Sequence, residues 1–310
     1  MSDSKADHRL PRYPVYVTTK NRYQWERAVT ARMLAQDGVP FVFTVETPQV
    51  EQYRELARRL EVPEDCVLDM GFQDLGLGVS SARNWCLDHA RSIGAARHWQ
   101  LDDNSAYMYR VFKGDRYHVR SGVALAAIED FTDRYTNIGL SGPNYAQFIP
   151  TDPTPFYQNV HVYSCTLIDN AIDCRWRGPY NEDTDMCLQV LAAGLCTVLV
   201  NVFLLKKLAT FQTNGKRTSL GGMSELYEGD GRLRMARSLE QRWPHVVTVD
   251  RRWRRPQHVV DWRRFDTPLQ RRTDIDFDAF PKVDNYGMQL TATKEIRSER
   301  LRQFVENQSQ

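Results

Sequence analysis

The stretch of residues 76–104, GLGVSSARNWCLDHARSIGAARHWQLDDN, constrains the fold more than any other part of the chain. Gly76 interrupts the preceding segment, and a helix is predicted over residues 82–91. Ser80 or Ser81 is predicted to cap it, because a hydroxyl can accept a backbone N–H that the first turn leaves unpaired. Gly94 is predicted to end it. The sequence here predicts a loop, a helix and then a strand.

That strand, predicted over residues 98–101, runs directly into Asp102, Asp103 and Asn104. Acidic residues at the C-terminal end of a strand lie where α/β sheets bind their ligands. Two adjacent carboxylates repel each other unless positive charge lies nearby, and a divalent cation is the usual source of that charge. A solvated turn is the alternative interpretation of these three residues alone.

The first hundred residues alternate between strand and helix patterns. Strands are predicted over residues 13–19, 41–45 and 67–68, and helices over residues 23–37 and 47–60. Such a β-α-β order predicts an α/β fold with a mixed, mainly parallel sheet flanked by helices. Further along, a β-hairpin is predicted over residues 107–119 from alternating residues around Lys-Gly-Asp, and a long loop over residues 143–159.

Composition excludes several classes of protein. The 310 residues are 42% hydrophobic, enough for a sizeable core, and no run of 18 apolar residues indicates a transmembrane helix. We expect no membrane partner and, from the polar N-terminus, no secretion signal. The six cysteines lack a CxxC spacing, which favours reduced core residues of a cytoplasmic protein without a zinc site.

A second acidic centre precedes a helix predicted over residues 186–193. The residues in front of it, RGPYNEDTD, place Glu182 and Asp183 near the start of that helix. A carboxylate there can accept the proton of an attacking hydroxyl, a step worth about 10²–10⁴ in rate. Acids at a helix start are also favoured by the macrodipole alone, so this interpretation stays open as well.

The C-terminal third is rich in basic residues although the net charge of the chain is only +2. Residues 206–223 are predicted to form a loop in which Lys216 can cover phosphates. Between residues 232 and 272 arginines far outnumber acids, which favours a polyanionic partner or, alternatively, a solvated face. The densest cluster consists of Arg251, Arg252, Arg254 and Arg255.

The order Gly-x-Ser-x-Ala-Arg-Asn, a helix of about ten residues and then strand-Asp-Asp resembles the core of the GT-A glycosyltransferases. The resemblance implies a GT-A-type nucleotide-sugar-binding fold in which an acidic motif holds Mg²⁺ or Mn²⁺ against the donor diphosphate. Here that motif is Asp102, Asp103 and Asn104, with Asn in place of the usual third Asp. A late histidine often completes the metal shell, and His258 is the candidate ahead of His161 and His245.

The same resemblance implies roles at the donor site. Glu46 matches the acid that hydrogen-bonds the uracil ring, and Arg83 matches an arginine that faces the nucleotide. Lys20 or Arg22 is expected near the base or the diphosphate. Asp183, paired with Glu182, matches the general base of inverting members. Simple ion pairs and solvated charges are the alternatives for Arg83, Lys20 and Arg22.

Five segments together resemble one branch, the TET/JBP-associated glycosyltransferases, which are carried mainly by bacteriophages: YPVYVTTKNR, HWQLDDN, YQNVHVYSCTLI, GPYNEDTDMCLQVLAAG and RRPQHVVDW. We therefore expect a disordered segment at residues 1–11, a glycosyltransferase domain at 12–265 and a charged tail at 266–310. The branch implies transfer of a sugar from a UDP-sugar to the hydroxymethyl group of a pyrimidine in DNA, with 5-hydroxymethylcytosine as the expected base.

Two alternatives remain beside that function. One is a glycosyltransferase that acts on a protein, lipid or glycan, and the other is a DNA-binding protein with a degenerate donor site. The sequence leaves open the sugar, the modified base, the stereochemical outcome and the oligomeric state.

Overall fold

The computed structural model describes residues 9–73, 75–149, 154–208, 231–252 and 255–279. Lys216 and Arg254 lie outside these residues, and so does the side chain of Arg252. The strands are β1 Val15–Thr18, β2 Val42–Val45, β3 Val67–Asp69, β4 Arg97–Asp102, β5 Ser105–Phe112, β6 Asp115–Val119, β7 Ile138–Tyr145, β8 Phe156–Gln158, β9 Cys165–Asp169, β10 Cys196–Lys207, β11 Val247–Arg252 and β12 Arg255–Val260. The α-helices are α1 Val29–Gln36, α2 Val50–Arg59, α3 Ser80–Ser92, α4 Ser121–Thr132, α5 Glu182–Ala192 and α6 Gly231–Arg242.

The main sheet has the strand order β3-β2-β1-β4-β9-β7-β10-β5-β6, with β8 paired to β10. Strands β3, β2, β1 and β4 are parallel neighbours, as the β-α-β pattern predicted. Beyond β4 the sheet is mixed, because β9 runs antiparallel to both β4 and β7 while β10 is parallel to β7. The predicted fold class, a mixed α/β sheet flanked by helices, is confirmed and agrees with the GT-A type.

The central strands β1, β4, β9 and β7 are buried on both faces, as in a sheet that is covered on both sides. Trp99 of β4 is fully buried, and its indole N–H donates to Glu129 Oε1 of α4 at 2.8 Å. Tyr16 of β1 packs against α3 on the other face of the sheet. The core therefore holds the C-terminal ends of β1 and β4 side by side, and these ends carry the first acidic residues.

Several local predictions need correction. Helix α3 begins at Ser80 and has no side-chain cap, because the Ser80 hydroxyl donates instead to the carbonyl of Gly178 at 2.6 Å. Helix α5 begins at Glu182, four residues earlier than predicted, since acids in a first turn suit the helix dipole. The loop predicted over residues 143–159 is shorter, because β7 continues to Tyr145 and β8 lies within it.

Other local predictions are confirmed. Strands β5 and β6 form the predicted hairpin, and Lys113 and Gly114 at its turn both have positive φ, as a type I′ turn requires. All six cysteines are buried and free, in agreement with their prediction as core residues. Among the described residues, no helix combines the length and the apolar character needed to cross a membrane.

Residues 267–272 pack on the body of the molecule, although we had assigned them to the tail. Asn137 and Gln158 donate from their side chains to the carbonyls of Pro268 and Thr267, at 2.8 and 2.6 Å. Arg271 forms an isolated bridge with Tyr135. The packed part of the chain thus extends beyond residue 265, and the domain boundaries stay a prediction.

Candidate active site

The first acidic centre, Asp102 and Asp103, lies where β4 ends beside β1. Both carboxylate oxygens of Asp102 accept hydrogen bonds from cations: Oδ1 from Arg83 at 2.8 Å and Oδ2 from Lys207 at 2.7 Å. Burial by itself would raise the pKa of Asp102, but the charges of Lys207 and Arg83 outweigh it and lower the pKa to about 2. Asp102 is therefore a carboxylate held between two cations.

Asp103 has a weaker set of partners. Thr19 donates its hydroxyl to Oδ2 at 2.9 Å, and Arg22 lies 3.1 Å from Oδ1. Burial raises the pKa of Asp103 to about 6 in spite of the opposing charge of Arg22, and the neighbouring Asp102 adds to the increase. The pKa values of the two adjacent acids are thus shifted in opposite directions, because Asp102 has two close cations and Asp103 has one.

Asn104 connects the acidic turn to the end of β10. The side-chain amide of Asn104 donates to the backbone carbonyl of Leu208 at 3.0 Å. The backbone carbonyl of Asn104 accepts a hydrogen bond from the Leu208 N–H at 2.9 Å. An ionised aspartate could not donate the first of these bonds. This contact gives a physical reason for the asparagine that departs from the usual acidic motif.

Lys207 is the residue at this site that the sequence analysis missed. It is the last residue of β10, where the register between β10 and β5 shifts between Lys206 and Lys207. A β-bulge can redirect a side chain, and bulges occur often beside active sites. The ammonium of Lys207 also donates to Ser164 Oγ at 2.6 Å and lies 5.8 Å from the ring centroid of Tyr145.

Arg83 connects the first acidic centre to the second. Its side chain is almost fully buried over the ring of Trp176, 4.7 Å from the ring centroid. One guanidinium nitrogen binds Asp102, and another lies 3.8 Å from Glu182 Oε1. These contacts are those of an ion-pair partner, and the predicted role of Arg83 towards the nucleotide stays a prediction.

The second acidic centre, Glu182 and Asp183, forms the first turn of α5. Asp183 Oδ2 lies 3.2 Å from His161 Nε2, and Oδ1 accepts the backbone N–H of Thr184 at 2.7 Å. Burial would raise the pKa of Asp183, but His161 and Arg83 more than offset it and hold the pKa below its ordinary value. Burial and the charge of Asp183 together raise the pKa of Glu182.

The third acid of the same turn, Asp185, is structural. It is fully buried and accepts two bonds from Arg177, at 2.8 and 2.7 Å, and one from the indole of Trp243 at 2.8 Å. These bonds attach the start of α5 to the region around α6. Asp183 is consequently the acid of this turn that combines partial exposure, 32%, with a histidine partner.

An aromatic surface, Tyr145, Phe148, Tyr163 and Trp262, adjoins the second acidic centre. Tyr145 and Tyr163 stack at 4.6 Å, and Phe148 lies 5.6 Å from Tyr145 with 62% of its surface exposed. His161 contacts this surface on both sides, 4.5 Å from Tyr163 and stacked on Trp262 at 6.2 Å. The ionised Asp183 therefore borders an aromatic surface in which Tyr145 is buried and Phe148 is exposed.

Lys20 and Glu46 lie at the same edge of the sheet, after β1 and β2. The Lys20 ammonium donates to Glu46 Oε1 at 2.9 Å. Glu46 is nearly buried, whereas the Lys20 side chain is 40% exposed. The structure thus brings Lys20, Arg22 and Glu46 to the neighbouring ends of β1, β2 and β4, close to Asp102 and Asp103. The predicted donor-binding roles of Lys20, Arg22, Glu46 and Asp102 stay predictions.

The four predicted metal ligands, Asp102, Asp103, Asn104 and His258, do not come together as one set of ligand atoms. Both oxygens of Asp102 face cations, and the side-chain amide of Asn104 is directed to Leu208. His258 lies on β12, and the charges that act on it are those of His161 and Asp183. Asn104 Oδ1 and His258 Nδ1 are buried without a hydrogen-bond partner among the described residues, yet they have different neighbours.

Over the described ranges, no three His, Cys, Asp or Glu side chains are arranged to hold a metal ion. The residues present therefore do not fit the divalent cation that the resemblance implies.

The arginine cluster lies on a separate hairpin formed by β11 and β12. Arg251 pairs with Pro256, and Arg252 pairs with Arg255, next to the hairpin turn. Arg251 and Arg255 are exposed. Three residues after Arg255, the same strand carries His258, whose ring interacts with His161 and Asp183. The hairpin therefore extends from the second acidic centre to an exposed group of cations.

Three comparisons with known proteins bear on this site. The family model described as TET-Associated Glycosyltransferase matches residues 13–216, a span that includes both acidic centres. No curated protein was found to match the chain. Among solved structures, the inositol-1-phosphate CTP transferase from T. maritima is similar at 11% identity and a TM-score of 0.37, over 70% of this chain and 94% of that one.

The structural similarity is too low to support an argument about function. The family match covers more than half of the chain, and the strand-end acids and the α5 acids both lie inside it. The chain therefore belongs to the TET-associated glycosyltransferases, a family of nucleotide-sugar-dependent transferases.

Proposed function

We propose that this protein transfers a sugar from a UDP-sugar to the hydroxymethyl group of a 5-hydroxymethylpyrimidine in DNA, with 5-hydroxymethylcytosine as the expected base. The observation that carries the proposal is the position of Asp183. It is ionised, bonded to His161 at 3.2 Å and adjacent to the aromatic surface. A base and a stacking surface together suit a hydroxyl attached to a planar ring.

The reaction proceeds by a single displacement in this proposal. The acceptor oxygen forms a bond to the anomeric carbon while the bond from that carbon to the diphosphate oxygen breaks, and the electron pair leaves with the diphosphate. The acceptor proton moves to the Asp183 carboxylate. His161 holds that carboxylate in its ionised form beforehand. A single displacement inverts the configuration at the anomeric carbon, so this proposal predicts inversion.

The donor is expected at the ends of β1, β2 and β4. Glu46 and Lys20 lie there as candidates for the base of the nucleotide, and Arg22 as a candidate for its phosphates. Lys216, from the part of the chain that is not described, stays a candidate for covering the phosphates. The predicted metal ligands do not fit the divalent metal that the resemblance suggests, so no step of the proposed reaction uses a metal.

The DNA would approach over the arginine hairpin. Its exposed cations can neutralise phosphates, and a target base must leave the duplex to reach Asp183. We expect Arg251→Ala and Arg255→Ala each to reduce the slope of log K against log salt by about 1. Arg54→Ala, on the distant helix α2, is the matched control and should leave the slope unchanged.

The test of the whole proposal is mass spectrometry of nucleosides from DNA that contains 5-hydroxymethylcytosine, after incubation with UDP-glucose. Parallel reactions use 5-hydroxymethyluracil DNA and an unmodified duplex. A hexose adduct on one modified base, absent with Asp183→Asn and present with the surface control Asp173→Asn, supports the proposal. Release of UDP without an adduct on either base would contradict the DNA acceptor and favour a protein, lipid or glycan.

A further inference from the structure

Lys207 occupies the position where an external counter-ion would otherwise be needed. Its ammonium binds Asp102 at 2.7 Å and Ser164 at 2.6 Å, and its side chain is 21% exposed. The backbone of Lys207 pairs with Ser105 of β5, and the Tyr145 ring lies 5.8 Å from the ammonium. The ammonium is thus fixed by the fold and is still accessible to a ligand at the strand ends.

Cations occupy the first acidic centre where a metal ion would have to bind. Both carboxylate oxygens of Asp102 are taken, one by Arg83 and the other by Lys207, so a divalent cation would have to displace one of them. Arg83 is buried and also faces Glu182 at 3.8 Å. Lys207 and Arg22 are the partly exposed cations of this centre, with 21% and 15% of their side chains exposed. Their charges would attract a diphosphate at the strand ends.

We infer that Lys207, together with Arg22, binds and neutralises the donor diphosphate in place of a divalent cation, so that this chain transfers sugar without a metal. The inference rests on the proposed function because it assigns the charge partner of the same donor. Pre-positioned cations stabilise a leaving group without reorganisation at the moment of reaction. As the anomeric C–O bond breaks, the diphosphate oxygen that receives the electron pair accepts a hydrogen bond from the Lys207 ammonium. The ammonium keeps its proton.

A purely structural role is the competing explanation for Lys207. In that case its ammonium would only neutralise Asp102 and would not contact the donor. The two explanations differ in nucleotide binding, because only the inferred role makes binding depend on Lys207 and independent of metal. Stability alone cannot separate them, so the test measures ligand affinity on folded protein.

The experiment is calorimetry of the full chain with UDP, GDP and ADP, each in EDTA and again with Mn²⁺. We expect one of these nucleotides to bind equally well in both buffers, within about twofold. Lys207→Met should weaken that binding by about 10- to 100-fold, since a hydrogen bond to a charged group is lost. Lys207→Arg should retain most of the affinity. Lys206→Met, one residue away, is the matched control and should bind like the unmodified protein.

Binding that appears only with Mn²⁺ overturns the inference and leaves the proposed function intact. A Lys207→Met variant that is folded by thermal unfolding and binds the nucleotide normally also overturns it. If Lys207→Met does not fold, two measurements still test the inference: nucleotide affinity in EDTA compared with Mn²⁺, and the affinity of Lys207→Arg.

Metal-independent nucleotide binding without any transfer of sugar to DNA would support the inferred role of Lys207 and overturn DNA as the acceptor. Absence of binding in both buffers would overturn both.

Discussion

The two acidic centres are 80 residues apart in the sequence and are connected by Arg83, yet they have opposite environments. At the first, both oxygens of Asp102 are bound by cations, and the carboxylate serves to hold Arg83 and Lys207 in place. At the second, Asp183 has one histidine partner and is 32% exposed. A carboxylate that fixes cations contributes mainly to stability and binding, whereas one that stays ionised and accessible can accept a proton.

The largest effect should come from removing the proposed base at the second centre. Asp183→Asn keeps the shape of the side chain but cannot take the acceptor proton. We expect the rate of sugar transfer to fall by about 10²–10⁴, with little change in the unfolding midpoint. Steady-state assays on modified DNA measure the first quantity and thermal unfolding the second. A variant that retains a tenth of the activity or more would contradict the role of Asp183.

The equivalent change at the first centre should act on stability instead. Asp102→Asn removes the carboxylate that the buried Arg83 guanidinium and the partly exposed Lys207 ammonium share. Breaking such a buried pair costs about 3–5 kcal/mol in the free energy of unfolding. Denaturant titration measures this loss, and Asp173→Asn serves as the exposed control. A loss below about 1 kcal/mol would show that Asp102 does not hold the two cations.

The partner of Asp183 can be tested through the pH dependence of the rate. His161→Phe keeps the stacking on Trp262 but removes a hydrogen bond to a charged group, worth about 1.5–3 kcal/mol. The pKa of Asp183 should then rise, because the bond that favours its ionised form is lost. The acid limb of the rate profile should move to higher pH in the variant. An unchanged acid limb of the rate profile would mean that His161 packs against its neighbours without affecting the pKa of Asp183.

Stability should also depend on pH through Asp102. The pKa of Asp102 is about 2 in the fold against an ordinary 3.8, so the unfolded chain binds more protons between these values. Stability from this group is therefore present above about pH 4 and is lost as the pH falls towards 2, by about 2 kcal/mol. The difference in unfolding free energy between the unmodified protein and Asp102→Asn should shrink over that range. A constant difference would contradict this assignment.

The smallest effect is expected at the edge of the donor site. The Lys20–Glu46 pair is partly exposed, so Glu46→Gln should lower the free energy of unfolding by less than about 1 kcal/mol. If Glu46 contacts the base of the nucleotide, the same variant should weaken UDP binding without a change in the rate at saturating donor. Equal UDP affinity in the two proteins would leave Glu46 as a partner of Lys20 only.

Much of the site could be predicted because it follows local rules. The β-α-β pattern places Lys20, Glu46 and Asp102 at neighbouring strand ends, since parallel strands end on the same side of a sheet. The acids in front of α5 are likewise a local signal of a helix start. The predicted loop over residues 143–159 was too long because Phe156–Gln158 form a strand that pairs with β10, about 40 residues further along the chain.

Two partners could not be found in this way. Lys207 closes the apolar run of β10, which is a visible signal, but nothing local connects it to Asp102, 105 residues earlier. The contact depends on the position of β10 in the sheet and on the bulge at its end. His161 was considered only as a metal ligand, and the loop before β9 turns it towards Asp183 instead.

The sequence by itself determined the fold class, the position of the two acidic centres and the family, because these depend on periodicity, strand ends and motif order. Only the tertiary structure decided what surrounds each carboxylate. The pKa of an acid depends on burial and on charges within a few ångströms, and those charges come from strands and loops far along the chain. The environments that distinguish Asp102 from Asp183 are therefore properties of the folded molecule.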